Sequence, residues 1–354
     1  MIMSRTPFRV SFFGGGTDYP GWYLTHGGQV LSTAIDKYCY ITARYLPPFF
    51  EHRIRAVYSK MELCQHYEEL KHPAIRETLR LLNFERNLEI HHDGDLPARS
   101  GMGSSSSFTV GLLHALYALR GLMPTKRQLA QEAFHIEHDM IGETVGSQDQ
   151  CAAAYGGLNH IVFHRDGEFE VRPLTLTGAR TQELSDHLML FYTGIMRTAS
   201  DVAQTYVENL GAKETLLSTM HDMVDDGIRL LQSNRCICGF GELLDAAWEA
   251  KRSLSPNITN DVVDDLYTRA RESGAIGGKL IGAGGGGFLL LFVPPSAQPR
   301  VIDELNELLY VPFEFSRNGS QIIFYEPSRQ DFSQYERERN GRDIQAFREL
   351  KRKG

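Results

Sequence analysis

Residues 100–107 read Ser-Gly-Met-Gly-Ser-Ser-Ser-Ser and sit between an apolar strand pattern at Leu88–His91 and a strongly apolar helical pattern at Ser106–Leu119. No other segment constrains the fold as much. A loop that opens a helix brings unpaired backbone N–H groups and the positive end of the helix dipole to one place, which is where an anion collects. Gly101 and Gly103 remove side chains that would keep the backbone from wrapping a phosphate, and the serine hydroxyls can donate to phosphate oxygens or coordinate magnesium. The plainer alternative is a serine linker with a helix cap, but a linker does not ordinarily part an apolar strand from an apolar helix.

The other glycine-rich stretches do not make the common phosphate folds. Gly274-Ala-Ile-Gly-Gly-Lys279-Leu280 is one residue short of P-loop spacing and lacks the hydroxyl that would hold magnesium. Gly282-Ala-Gly-Gly-Gly-Gly287 leads into Phe-Leu-Leu-Leu-Phe-Val, a strand pattern, so no helix N-terminus follows it to receive a pyrophosphate. Acidic residues outnumber basic ones 44 to 37, giving a net charge of −7. Without a global positive field, nucleic acid and anionic lipid are not expected partners, and any anionic ligand must be held locally.

With 354 residues, of which 42% are hydrophobic, the chain can bury a sizeable core in two domains. The run Phe288–Val293 is far shorter than the roughly 20 residues a membrane span requires, and the start carries no long apolar leader, so a cytoplasmic protein is expected. Cys39, Cys64, Cys151, Cys236 and Cys238 are scattered and odd in number, which favours reduced thiols over a disulfide framework. Strand patterns dominate early, at 8–13, from Val30, and at Arg53–Tyr58. Helical patterns follow at Ser106–Leu119 and Thr125–Ile141, then strands at Leu158–Phe163, Phe169–Leu174 and Leu188–Tyr192. Helical patterns return over Ala199–Leu254 and Val262–Glu272, and a last strand pattern covers Gln321–Tyr325. That shift places a domain boundary near 190: one domain over 1–190, a second over 191–330, and a charged tail over 331–354.

Two further segments carry chemistry. In Gly14-Gly15-Gly16-Thr17-Asp18, glycines ending a strand let backbone approach a ligand, and Asp18 either accepts ligand hydroxyls or caps the turn. Asp149 follows Gly142-Glu-Thr-Val-Gly146-Ser-Gln148, with Glu137 twelve residues earlier on the preceding helix. Two carboxylates near one phosphate loop suit phosphoryl transfer, one neutralising phosphates through a metal and the other orienting or deprotonating the attacking hydroxyl. His135 and His138 beside Glu137 lack the third-ligand spacing of a zinc site.

Together, FRVSFFGGGTDYPG, LPARSGMGSSSSFTVG and KLIGAGGGGFLLLF resemble, in order and spacing, the three motifs of the GHMP kinase superfamily. The resemblance implies a two-domain α+β fold, with an N-terminal domain similar to ribosomal protein S5 domain 2 and a ferredoxin-like C-terminal domain, and ATP and Mg2+ between them. It implies Asp149 as the catalytic aspartate with Arg9 as its basic partner, and Ser105 and Glu137 as magnesium ligands. Gly101, Met102, Gly103, Ser104, Ser105 and Ser106 would form the phosphate cradle. Gly15, Gly16, Thr17 and Asp18 would bind the acceptor, with Gly285 and Gly286 close to it.

Gly15-Gly16 replaces the Glu-His pair of galactokinases, and the GGGTDYP form resembles the heptose 7-phosphate branch of the family, with fucokinase-type domains carrying a similar motif. This branch phosphorylates the anomeric hydroxyl of D-glycero-D-manno-heptose 7-phosphate to the 1,7-bisphosphate, for nucleotide-activated heptose. A kinase of free fucose, arabinose or galactose, and a non-catalytic sugar and nucleotide sensor, are the alternatives. A phosphorylated sugar needs a second anion site, for which Arg99, Arg197 and Lys279 are the candidate cations. A homodimer is also allowed for.

Overall fold

The computed structural model describes residues 1–47, 49–98, 100–195 and 213–327. Arg99, Arg197, the first part of the Ala199–Leu254 helical pattern and the 331–354 tail lie outside the described residues.

Among the described residues the first sheet has eight strands: β1 (Ile2–Phe13), β2 (Gly28–Tyr45), β3 (Ile54–Val57), β4 (Met61–Cys64), β5 (Leu88–Gly94), β6 (Leu158–Phe163), β7 (Phe169–Pro173) and β12 (Gln321–Tyr325). Its main path runs β12-β1-β2-β5-β3-β4, with β6 and β7 continuing from β2. The second sheet is antiparallel in the order β11-β8-β10-β9, built from β8 (Leu188–Tyr192), β9 (Gly277–Leu280), β10 (Phe288–Phe292) and β11 (Leu309–Tyr310). Helices in chain order are α1 (Pro20–His26), α2 (Pro73–Leu81), α3 (Ser104–Leu119), α4 (Lys126–Phe134), α5 (Gln148–Tyr155), α6 (Gly178–Asp186), α7 (Glu214–Gln232), α8 (Cys238–Arg252), α9 (Asp261–Glu272) and α10 (Gln298–Glu304). Among the described residues no helix is long and apolar enough to cross a membrane.

α3 is apolar on almost every face, which suits a helix buried on all sides rather than a surface helix. It packs on β1 and β2 and is flanked by α2, α4 and α5, so its N-terminus is held rigidly where the phosphate loop ends. α4 begins under a Thr125 cap, whose Oγ1 accepts from Gln128 N at 3.1 Å. It continues into a π-helical segment, His135–Met140, so the expected Thr125–Ile141 helix is one helix with a widened last stretch that carries Glu137.

β1 pairs with β2 through two register shifts, between Pro7 and Arg9 and between Ser11 and Phe13. Pro7 has no N–H to give the ladder, and a bulge there re-aims the following side chain. The Arg9 N–H donates instead to Met102 O at 3.2 Å, which ties this strand to the phosphate loop. The end of β1 also forms the seam between the domains: Phe12 and Phe13 meet Phe240 of α8 edge-on, with ring centroids 5.3 and 5.0 Å apart.

The strand at Gln321–Tyr325 was expected in the second domain; it pairs antiparallel with β1 in the first sheet. Its burial pattern gives no hint of where it docks, because its last three residues are exposed. The chain therefore leaves the first sheet before β8 and returns after β11, and a single boundary near 190 does not describe it.

Candidate active site

Where the two sheets meet, a cavity of about 240 Å³ is lined by residues of β1, the Gly14–Asp18 turn, the phosphate loop, the segment before α5, α8 and β9. Gly101 and Gly103 hold φ of +81° and +73°, the left-handed region that other L-residues avoid, and Gly103 is the residue just before α3. A Cβ on Gly101 would lie 2.4 Å from Ile281 O, and one on Gly282 would lie 2.5 Å from the Gly101 Cα. The two glycine loops thus meet backbone to backbone across the domains.

Ser104, Ser105 and Ser106 line the cavity beside these glycines. Met102 does not: its side chain is buried in the core, and its carbonyl serves Arg9. Gly285 and Gly286, expected beside the acceptor, are packed elsewhere. Gly285 N donates to Ile258 O at 2.8 Å, and a Cβ on Gly286 would strike Ile195 O at 2.5 Å. Gly282 and Ala283 are the members of that loop on the cavity wall.

Arg9 is 5% exposed and its guanidinium is fully directed. Nε and Nη2 donate to the two oxygens of Asp149, each at 2.7 Å, and Nη1 donates to Gly101 O at 2.8 Å. Asp149 stands in the first turn of α5, where the helix dipole favours a carboxylate. The two residues are 140 positions apart in the chain, and the fold brings them together against the phosphate loop.

Gly15, Gly16 and Asp18 reach the cavity; Thr17 does not, because its Oγ1 bridges the Gly14 and Gln29 carbonyls at 2.8 and 2.9 Å and so holds the turn. Asp18 accepts from Gly16 N at 2.9 Å and from Gln148 Nε2 at 2.8 Å. Burial, and next the charge of Asp149, push its carboxyl above the usual range. Gly146 packs directly on it: a Cβ there would lie 2.0 Å from Asp18 Oδ2.

Glu137 is wholly buried, and its carboxylate accepts from Ser106 Oγ at 2.7 Å, from Thr109 Oγ1 at 2.9 Å and from Gln150 Nε2. Burial pushes its pKa to about 7, although all three donors favour the charged form. The hydroxyl that meets Glu137 is that of Ser106 and not of Ser105, which is exposed on the wall. One residue along an α-helix turns a side chain through about 100°. Glu137 does not itself line the cavity; its link to the wall is the Ser106 hydroxyl, and together they offer the hard oxygens that a magnesium ion prefers. His135 and His138 are taken by Asp139, each at 2.7 Å, and no cluster of three or more metal-ligating side chains occurs among the described residues.

Two lysines complete the wall. Lys279 Nζ donates to Phe12 O at 2.8 Å, and Lys251, in the last turn of α8, donates to Leu280 O at 3.2 Å and to Gly282 O. Burial holds both well below the usual lysine range, with Lys279 at about 7. Lys279 is a candidate cation of the sequence, whereas Lys251 is hidden in it, because a lysine near the end of an amphipathic helix looks like part of a solvated face. The helix around Lys251 does bury Leu244, Ala247 and Trp248, and residue 251 continues that i, i+3, i+4 stripe.

The comparisons agree with this layout. The model of the GHMP kinases N terminal domain matches residues 69–157, and that of the GHMP kinases C terminal matches residues 230–311. The D-glycero-alpha-D-manno-heptose 7-phosphate kinase of Campylobacter jejuni is 28% identical over 335 residues, covering 90% of this chain and 97% of that protein. The L-fucokinase/L-fucose-1-P guanylyltransferase of Bacteroides fragilis is 25% identical over 376 residues, covering 91% of this chain and 38% of that longer protein. Among solved structures, a D-glycero-D-manno-heptose 1-phosphate kinase from Bacteroides thetaiotaomicron shares the fold with a TM-score of 0.75 at 23% identity, over 92% of this chain and 100% of that one. Both halves of one enzyme family, in order and on the two-domain frame described above, are present in a single polypeptide, which therefore belongs to the GHMP kinases.

Proposed function

We propose that this ATP-dependent sugar kinase phosphorylates the anomeric hydroxyl of D-glycero-D-manno-heptose 7-phosphate, giving the 1,7-bisphosphate. The observation that carries the reading is the Arg9–Asp149 pair set against the N-terminus of α3 in one cavity with Asp18. The N–H groups of that helix end and the Gly101–Ser106 loop hold the terminal phosphates of ATP. Asp18 accepts acceptor hydroxyls and sets the sugar's orientation. The acceptor oxygen bonds to the γ-phosphorus as the bond to the β–γ bridging oxygen breaks. ADP leaves with that electron pair, and the hydroxyl proton passes to Asp149. Arg9 fixes the rotamer of Asp149 through its fork and faces the charge that develops on the moving group. Glu137 and Ser106 would hold Mg2+, which when bound neutralises the phosphate oxygens.

The test is coupled ADP release with ATP and Mg2+ against this heptose phosphate, mannose 6-phosphate, fucose, arabinose and galactose, with the product position assigned by phosphorus NMR. Turnover on the heptose phosphate with a new anomeric phosphate is expected. Turnover on a free sugar alone would keep the kinase and discard the substrate, and nucleotide and sugar binding without turnover would point to a sensor.

A further inference from the structure

The cavity wall carries three cations, Arg9, Lys251 and Lys279, and three acids, Asp18, Glu143 and Asp149, but of the cations only Arg9 is held by a carboxylate among the described residues. Lys251 and Lys279 are 6% and 4% exposed, and neither is ion-paired among the described residues; their partners are main-chain carbonyls. An ammonium has three N–H groups, so Lys251 keeps one and Lys279 keeps two for a ligand. The same wall carries a third unspent donor: Ser11 Oγ is buried and has no hydrogen-bond partner. Arg9, the nearest other cation, is committed to Asp149 and Gly101.

The charges around these lysines come from every side of the cavity. Arg9 on β1 disfavours protonation of both, Lys279 on β9 does the same to Lys251, and Asp18 on the turn favours both. Asp149 lies behind Arg9, and Asp18 is itself pushed towards its neutral form. Burying two ammonium groups without a counter-ion is costly, and a dianion with several acceptor oxygens removes that cost. The α3 N-terminus already serves one phosphate group, and the lysines approach from other elements: α8, β9 and β1.

We propose that Lys251, Lys279 and Ser11 form the binding site for the acceptor's own, non-reacting phosphate, separate from the α3 site of the nucleotide. This rests on the sugar-kinase reading and extends it: Lys251 and Ser11 become specificity-determining residues that tell a sugar phosphate from a free sugar. Each N–H or O–H that reaches the dianion is a charge-assisted bond, and the unpaired Ser11 hydroxyl is released from an unsatisfied state when the ligand arrives.

The experiment is isothermal titration of the full chain, with a non-hydrolysable ATP analogue present, using two matched pairs: D-glycero-D-manno-heptose with its 7-phosphate, and mannose with its 6-phosphate. The wild type is expected to prefer a phosphorylated member by about 100-fold. S11A should lose about tenfold of that preference and K251M about 100-fold, with affinity for the free sugar and for the ATP analogue unchanged. K251R should regain part of it, and thermal melting shows whether each variant is folded.

Binding of the phosphorylated sugar at pH 8 should take up on the order of one proton, read from buffers of different ionisation enthalpy, because the anion restores the charge of the lysines. Equal losses for phosphorylated and free sugars, weakened binding of the ATP analogue alone, or no preference in the wild type would each overturn the proposal. ADP release on a free sugar without that preference would leave the kinase standing and remove only the phosphate site. A preference without ADP release would do the reverse.

Discussion

Arg9 grips both carboxylate oxygens of Asp149 through Nε and Nη2, each at 2.7 Å, while its third arm holds the Gly101 carbonyl of the phosphate loop. One side chain therefore sets the distance between the Asp149 carboxylate, the proposed proton acceptor, and the glycine–serine loop. Asp149→Asn keeps the shape but removes the charge and the proton acceptor, and turnover should fall by about 10³-fold. Arg9→Lys keeps a cation but loses the planar fork, so it should fall by about 10²-fold with little change in the KM for ATP. Steady-state kinetics on variants with unchanged circular dichroism checks both, and near-wild-type turnover of Asp149→Asn would remove Asp149 from the chemistry.

Glu137 makes stability depend on pH. Its folded pKa of about 7 stands above an ordinary value of 4.5, so between those values the unfolded chain gives up its proton first. Stability from this group is fully present below pH 4.5 and is lost as pH rises through 7. A rise of about 2.5 units corresponds to roughly 3 kcal/mol for a fully buried group. Glu137→Gln removes the titration, so urea unfolding without metal should show the variant gaining on the wild type between pH 5 and pH 8. The same variant should need at least about tenfold more Mg2+ for half-maximal turnover. A wild-type-like pH profile of stability would mean that Glu137 titrates normally.

Gly146→Ala tests how tightly the acceptor side is built. Its Cβ would fall 2.0 Å from Asp18 Oδ2, so either the carboxylate or the segment before α5 must move. The loss of stability should be modest, about 1–3 kcal/mol. Sugar affinity should drop by about tenfold or more while nucleotide affinity holds, as read by titration of each ligand separately. An equal loss for both ligands would mean that the damage spreads to the phosphate loop.

The cysteines should separate into two groups. Cys236 precedes α8 and Cys238 begins it, and the contact with Cys238 holds the exposed Cys236 thiol below its usual range. Burial pushes Cys39, Cys64 and Cys151 up. Iodoacetamide at pH 7.5 should label Cys236 first and spare the buried three until the chain unfolds, as peptide mass spectrometry would show. Early labelling of Cys151 would mean that the core beside α5 opens.

Local chemistry marked the loop before α3: glycines and serines ahead of an apolar helix offer open N–H groups to an anion, and Gly101, Gly103 and Ser104–Ser106 do line the cavity. Arg9, Asp18 and Asp149 meet there too, although the resemblance rather than their spacing brought Arg9 and Asp149 together. What the sequence hid was direction. Ser105 and Ser106 are chemically alike and differ only by the turn of the helix, Thr17 and Met102 face inward to hold the loops, and Lys251 lies at the end of a buried stripe. β12 was misplaced because strand partnering is a long-range contact, and Gln321–Tyr325 carries no local mark of the strand 320 residues earlier that it joins.

That return strand has a mechanical consequence. The amino group of Met1 donates to the Glu326 carbonyl, so the described chain closes on itself, and two covalent tethers cross between the sheets, one before β8 and one after β11. A body held by two ropes swings about the line joining their anchor points and resists twisting. An opening of the cleft to admit a sugar and release ADP would keep both tethers in place, with the interlocked glycine loops as the surfaces that part and meet again.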